Sequence, residues 1–343
     1  LFDMKKVFLK DIAKKLNVSK TAVSLVLNNK GDENKISQET QKKIIDYAKK
    51  HNYVPNQLAR GLSRGKSETI GLIIPNISDS FYSKIAGYVE LKAKSLGYTV
   101  LFSSSSEDPK KESELIRSML NRQVEGLIIA STQQNLKEIE SLKEDKFPFV
   151  LIDRHYPESE TNYVIVDNYN GSKTVTEHLL KLGRRKIGFI TLKPGLEAIR
   201  QRMLGYENAL KDFDIEFKKE LIKELSPENY EDEIKLAVSE LIKFPNSVDS
   251  IVFSTHYLTS VGLRELKRFN VKVPQEVAIV SFDELSAFDL VDPPITSVIQ
   301  PVKDISNIAV EILINEIEGM KENIENTRIL DSKLEIRKSC GTF

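Results

Sequence analysis

Val18-Ser19-Lys20-Thr21-Ala22-Val23-Ser24-Leu25-Val26-Leu27-Asn28 holds a helix start, a buried stripe and a polar face in one short run. Ser19 is of the type that caps a helix, its hydroxyl accepting from an orphan N–H of the first turn. Val23, Val26 and Leu27 follow at helical spacing, which sets them on one face. Lys20, Thr21, Ser24, Leu25 and Asn28 fall on the other, free to enter a groove.

Upstream, Ile12, Ala13 and Leu16 repeat the helical spacing from Lys10, and Asn17-Val18 breaks it, so two short helices joined by a tight turn are expected. Downstream, a third helix is expected from a cap at Ser37 to about Asn52, burying Ile44, Ile45 and Ala48 and ending before Tyr53-Val54-Pro55. Three such helices can close a small core. Charge marks the same segment: residues 1–66 carry 15 Lys and Arg against 6 Asp and Glu, a net +9, and the remainder carries a net −9. A net charge of zero therefore hides a basic nucleic-acid module on an acidic body. A solvated basic helix surface would give the charge but not the periodicity.

A chain of 343 residues is long for one core. With 40% hydrophobic and 29% charged residues it has an ordinary globular composition, and no apolar run is long enough to span a bilayer. The start lacks a charged region followed by an apolar one, so secretion is not expected. The single cysteine, Cys340, allows no internal disulfide and no cysteine cage, which fits a reducing cytoplasm. P-loop, G-x-G-x-x-G after a strand, G-x-S-x-G and H-E-x-x-H patterns are all missing, so neither an enzyme nor a cofactor nor a metal site is expected.

Beyond residue 66, strands and helices alternate: Thr69–Ile74, a helix from about Ser83, Thr99–Ser103, a helix from Pro109, Gly126–Ala130, a helix near Leu136 and Phe149–Ile152. The pattern restarts at Arg185-Lys186-Ile187-Gly188-Phe189-Ile190, mirroring Glu68-Thr69-Ile70-Gly71-Leu72-Ile73, and continues through Ser250–Phe253 and Val277–Val280. Two α/β lobes with parallel sheets covered on both faces are implied. Such sheets bind ligands at the carboxyl ends of their strands. The residues to inspect there include Asp79, Phe81 and Tyr82 after the first strand, Asp153-Arg154, Asp167-Asn168 at the lobe junction, Arg200 and Arg202, Asp283, and Gln300.

The D-I-A of Asp11–Ala13, the V-S-K-T-A-V-S of Val18–Ser24 and Tyr53-Val54-Pro55-Asn56 closely resemble the DNA-binding headpiece of the lactose-repressor (LacI/GalR) family. The resemblance runs over nearly the whole chain. It implies an α/β fold: an N-terminal helix-turn-helix headpiece plus a bilobed, periplasmic-binding-protein-like effector domain of two doubly wound parallel sheets. The expected limits are 1–54 for the headpiece, 55–66 for a hinge helix, and 67–343 for the effector and dimerisation domain. Its N-lobe would span about 67–166 and 300–328, and its C-lobe about 167–299 and 329–343. The implied function is a cytoplasmic, sequence-specific transcriptional regulator, a repressor, acting as a homodimer on pseudopalindromic double-stranded operator DNA. A small effector, a sugar or sugar derivative, would control it. An effector-independent DNA binder and a sugar-binding receptor-like protein remain as alternatives.

The resemblance further implies that the helix after Ser19 reads the major groove, with Lys20, Thr21 and Leu25 at base-reading positions and Ser19, Ser24, Asn28 and Tyr53 beside them. Lys20 would donate to guanine or to a phosphate; Leu25 would touch a thymine methyl or pack against a neighbouring loop. The segment holding Asn56, Ala59, Arg60 and Leu62 would form a hinge helix too short to stand alone, with Leu62 as a minor-groove wedge; a plain linker is the other reading. Phe8 stands where the family usually has a capping threonine, and is expected to pack instead. In the cleft, Phe81 and Tyr82 would stack on a ring while Asp153, Arg154, Arg202, Asp283 and Gln300 engage hydroxyls; the aspartates could equally serve as caps or ion-pair partners. Thr255-His256 replaces the Asn-Asp common in the family. His256 either shifts specificity, toward an anionic or differently substituted sugar, or faces away or binds through water.

Overall fold

The computed structural model describes residues 7–53, 66–193, 195–243, 247–320 and 326–342. Contacts divide the chain into two compact units, Leu1–Ser67 and Glu68–Phe343.

In the first unit, α1 (Leu9–Leu16), α2 (Lys20–Leu27) and α3 (Gln38–Lys50) close on Ile12, Ala13, Val23, Val26, Ile44 and Ala48. Asn17 ends α1 in the left-handed region, φ 49°, a conformation that asparagine tolerates better than most residues. Ser19 then caps α2, its Oγ accepting from the Ala22 N–H at 3.0 Å, and Ser37 caps α3 through the Thr40 N–H at 3.3 Å. Each cap contributes about 1 kcal/mol. Two expectations are corrected. Ile45 is only half-buried, because Ile44 and Ala48 already fill the inward stripe of α3. Phe8 is 46% exposed, with the Lys10 ammonium 5.6 Å from its ring centroid, and the Asp11 carboxylate accepts its backbone N–H at 2.9 Å.

The second unit holds two six-stranded sheets. The first comprises β1 (Thr69–Ile74), β2 (Thr99–Ser104), β3 (Gly126–Ile129), β4 (Phe149–Ile152), β5 (Tyr163–Val166) and β11 (Thr327–Leu330), in the order β11-β5-β4-β3-β1-β2, all parallel. The second comprises β6 (Ile187–Leu192), β7 (Ile222–Leu225), β8 (Ser250–Phe253), β9 (Ala278–Phe282), β10 (Thr296–Ile299) and β12 (Lys333–Glu335). Its order is β12-β10-β9-β8-β6-β7, with only β12 antiparallel. Both repeat the 2-1-3-4-5 order of doubly wound sheets, as the mirrored sequences around β1 and β6 imply. β3, β4, β8 and β9 are buried throughout, as strands covered on both faces must be.

The helices that position the cleft are α4 (Ser80–Ser95), α5 (Pro109–Asn121), α6 (Leu136–Glu144), α7 (Asn168–Lys181), α8 (Glu197–Asp212), α9 (Tyr230–Ile242), α10 (His256–Arg268) and α11 (Val302–Glu318). α4 begins three residues before the expected Ser83, because Asp79 caps it by accepting from the Phe81 N–H at 2.8 Å. α11 returns to the first sheet, where Ile305, Ala309, Val310, Ile312, Leu313 and Ile314 complete a core with Ile70, Leu72 and Val89. Each fully buried Ile, Leu or Val side chain among them contributes roughly 1.5–3 kcal/mol. The chain thus passes between sheets three times: after Val166, after Ile299, and between Leu330 and Lys333. The last passage lies two residues beyond 328, since β11 pairs with β5 through Leu330. No helix among the described residues is long and apolar enough to cross a membrane.

Candidate functional site

On the headpiece, Ser19, Lys20 and Thr21 are exposed at the start of α2, while Ser24, Leu25 and Asn28 are half-buried further along it. The Asn28 amide donates to the Ser24 carbonyl at 2.7 Å and so closes the end of the helix. Tyr53 is half-buried against the headpiece core. Asn56, Ala59, Arg60 and Leu62 lie outside the described residues.

In the effector unit, polar side chains converge where strand ends meet. Asp153 follows β4 and Asp283 follows β9, the fourth strand of each sheet, and both take left-handed backbone, φ 64° and 67°. Aspartate is among the few residue types that adopt this region readily. Asp153 accepts from the Tyr82 hydroxyl at 2.7 Å and lies 3.5 Å from Arg154 Nε. Burial raises the Asp153 carboxyl above its ordinary value, against the pull of Arg154, Tyr82 and Arg202. The Arg154 guanidinium is mainly occupied elsewhere: it makes a two-pronged pair with Glu107, at 2.8 and 2.7 Å, and donates to the Ser131 carbonyl.

Asp283 has a tighter set of partners. Gln300, at the second passage between sheets, donates from Nε2 to Asp283 Oδ1 at 2.5 Å. Arg202 approaches Oδ2 at 3.4 Å, donates to Asn168 Oδ1 at 2.8 Å and to the Ser254 carbonyl at 2.7 Å, and lies over the Phe282 ring at 3.7 Å. Gly205, one turn along α8, makes this reach possible: a Cβ there would stand 2.3 Å from the Tyr169 carbonyl of α7.

Two contacts join residues of the two sheets across the cleft. His256 Nε2 lies 3.4 Å from Asp79 Oδ2, and the Glu197 N–H donates to Gln133 Oε1 at 2.9 Å. Burial works to raise the Asp79 carboxyl, but His256 and the backbone N–H groups of Phe81 and Tyr82 outweigh it and hold it below its ordinary value. Tyr257 lies beside His256, rings edge-to-face at 5.4 Å; burial pushes its hydroxyl up to about 12, with Thr255, Arg202 and Arg154 pulling it down.

Not every residue expected here is brought together. Arg200 is 61% exposed and pairs with Glu197, because it sits well round the helix from the buried Arg202. Asp167 caps α7, accepting from the Asn170 N–H at 2.8 Å, and its neighbour Asn168 is the one that meets Arg202. Thr255 caps α10 through the Leu258 N–H. Tyr82 is buried in the core of the first sheet beside Phe81, rings edge-to-face at 5.1 Å, and presents its hydroxyl to Asp153.

Residues 67–338 match the family of periplasmic binding proteins and sugar binding domain of the LacI family, and residues 8–56 match the bacterial regulatory proteins of the lacI family. The chain belongs to the LacI family. It is a DNA-binding transcriptional regulator whose larger unit is of the family's sugar-binding type. Catabolite control protein A of Staphylococcus xylosus is 30% identical over 333 residues, 95% of this chain and 97% of that one. The ribose operon repressor of Halalkalibacterium halodurans is 28% identical over 332 residues, 96% of each. The structure of the lac repressor dimer bound to operator and the anti-inducer ONPF superposes with a TM-score of 0.86 at 20% identity, covering 98% of this chain and 99% of that one, a likeness of fold.

Glu107, Gln133, Glu197 and Tyr257 join the cleft of this LacI-family chain without having stood out in the sequence, whereas the sequence already marks Asn168 with Asp167 at the lobe junction. Tyr257 directly follows Thr255-His256, so adjacency was a usable signal for it. Glu107 and Gln133 meet partners 47 and 64 residues away, a relation that only the fold reveals.

Proposed function

We propose that this regulator is a cytoplasmic repressor that binds a pseudopalindromic operator as a homodimer and releases or tightens its grip when a carbohydrate enters the cleft. The division near residues 54 and 66, and the two lobes with limits near 166, 300 and 329, belong to this reading. The observation that carries it is the convergence of Asp153 and Asp283, each beside an arginine, on the junction where the chain passes between sheets. Carboxylates, amides and guanidinium groups so placed can engage neighbouring hydroxyls, and Phe81 and Tyr257 supply aromatic surface for a C–H face. A ligand touching both lobes shifts the population of their closed arrangement by its difference in affinity for the two states. No chemical turnover is expected, so a bound sugar should be recovered unchanged.

On DNA, the exposed start of α2 would enter the major groove, with Lys20 and Thr21 at base edges, Leu25 at a thymine methyl, and Ser19, Ser24, Asn28 and Tyr53 positioning the helix. The test is operator selection from random duplexes, followed by affinity measurement with a panel of sugars. Lys20→Ala should cost about 1–3 kcal/mol on the selected site and relax preference at one base position. If no sugar alters operator affinity or thermal stability, effector control is refuted. Sugar breakdown by the pure protein would refute the non-enzymatic reading.

A further inference from the structure

His256 Nδ1 and Gln300 Oε1 are buried without a partner among the described residues. Both residues are only 6% exposed, and they follow β8 and β10, which flank β9. Two strand spacings separate these ends by roughly 9–10 Å, so two donors on one sugar-sized molecule can reach both. Neighbouring unpartnered hydroxyls, such as those of Ser80, Thr132 and Ser254, rotate to donate or accept. The imidazole and the amide are less free.

Gln300 Nε2 donates to Asp283 Oδ1, and turning the amide over would set a carbonyl against a carboxylate. Its Oε1 is therefore fixed as an acceptor. Asp79 does the same for His256: a carboxylate oxygen 3.4 Å from Nε2 favours the tautomer protonated there and leaves a lone pair on Nδ1. A doubly protonated ring would bury a second N–H with no acceptor. The surrounding charge works against an anionic ligand. The carboxylates of Asp79, Glu107, Asp153 and Asp283 outnumber the guanidinium groups of Arg154 and Arg202, each of which already has a carboxylate beside it.

We propose that the Asp79–His256 contact fixes the imidazole as a hydrogen-bond acceptor, so that its subsite with Gln300 takes a donor-bearing polyol or amino-polyol and rejects the carboxylate and phosphate counterparts. This rests on the cleft being the effector site, and it selects against the anionic sugar that His256 suggests in isolation.

The experiment uses the full-length protein and matched probes: glucose, glucosamine, glucuronic acid and glucose 6-phosphate, with the corresponding galactose and ribose sets, read by thermal shift and calorimetric titration. A neutral or amino member should bind at least about tenfold more tightly than its acid and phosphate. His256→Phe should weaken the neutral ligand by about tenfold and shrink that discrimination. An acid or phosphate that binds as tightly as its neutral counterpart overturns the proposal and leaves effector control standing. If no member binds, both readings fall. Nitrogen chemical shifts of the histidine rings, with the His256→Phe spectrum assigning the signal, test the tautomer without any ligand: neutral Nε2–H is expected, and a proton on Nδ1 overturns the proposal.

Discussion

Asp153 and Asp283 occupy equivalent places in two sheets of the same strand order, on the same left-handed backbone, yet they are held differently. Asp153 shares its arginine with Glu107, whose side chain is 50% exposed, and burial raises its carboxyl. Asp283 faces an arginine that is 5% exposed and tied to a helix, a strand end and a ring. One fold therefore presents two carboxyl groups with different surroundings to one cleft: burial raises the first, and Arg202 and Gln300 hold the second in a hydrogen-bonded network.

The largest test of this contrast is the pair Arg202→Met and Arg154→Met, compared by urea unfolding. Arg202→Met strands Asp283, Asn168 and the Ser254 carbonyl without their donor, and should cost about 3–5 kcal/mol. Arg154→Met should cost roughly half as much, because Glu107 can turn to water and Asp153 can take a proton. Equal losses would break the comparison.

A smaller effect sharpens it. Asp283→Asn should cost about 1.5–3 kcal/mol, the range for hydrogen bonds to a charged group, whereas Asp153→Asn should stay within about 1 kcal/mol. The pH dependence has a definite sign. A carboxyl whose folded value is raised above the ordinary 3.8 favours the folded state most at low pH, and that contribution is lost as pH rises through the folded value. Melting temperatures of Asp153→Asn should therefore gain on those of the parent as pH climbs from about 4 to 7. Asp79 runs the other way. Its lowered value gives stability that is present above 3.8 and lost as pH falls through the folded value, so Asp79→Asn should lose ground to the parent at neutral pH. Arg200→Ala comes last: its exposed pair with Glu197 should be worth no more than about 0.5 kcal/mol in the same unfolding assay.

Local rules made much of the molecule legible. Caps at Ser19 and Ser37, the stripe of Val23 and Val26, and the repeated strand pattern are written in neighbouring residues and survive into the structure. The rule that ligands meet strand ends pointed to Asp153, Asp283 and Gln300, because position after a strand is also local. It could not separate Arg202 from Arg200, which differ by helix face rather than by sequence context. Nor could it show that Asp79 and Thr255 cap helices and that Tyr82 serves a carboxylate, since these roles depend on what each side chain meets in space.

The return of α11 and β11 to the first sheet bears on how the protein is made. Ile305, Val310 and Leu313 belong to a core begun by Ile70 and Leu72, so that core stays open while everything between β5 and α11 is being translated. At ordinary elongation rates this interval is on the order of ten seconds. During it the nascent first sheet shows an apolar face in search of a cover, and the ribosome-bound chain should be most dependent on chaperones until the last helix emerges.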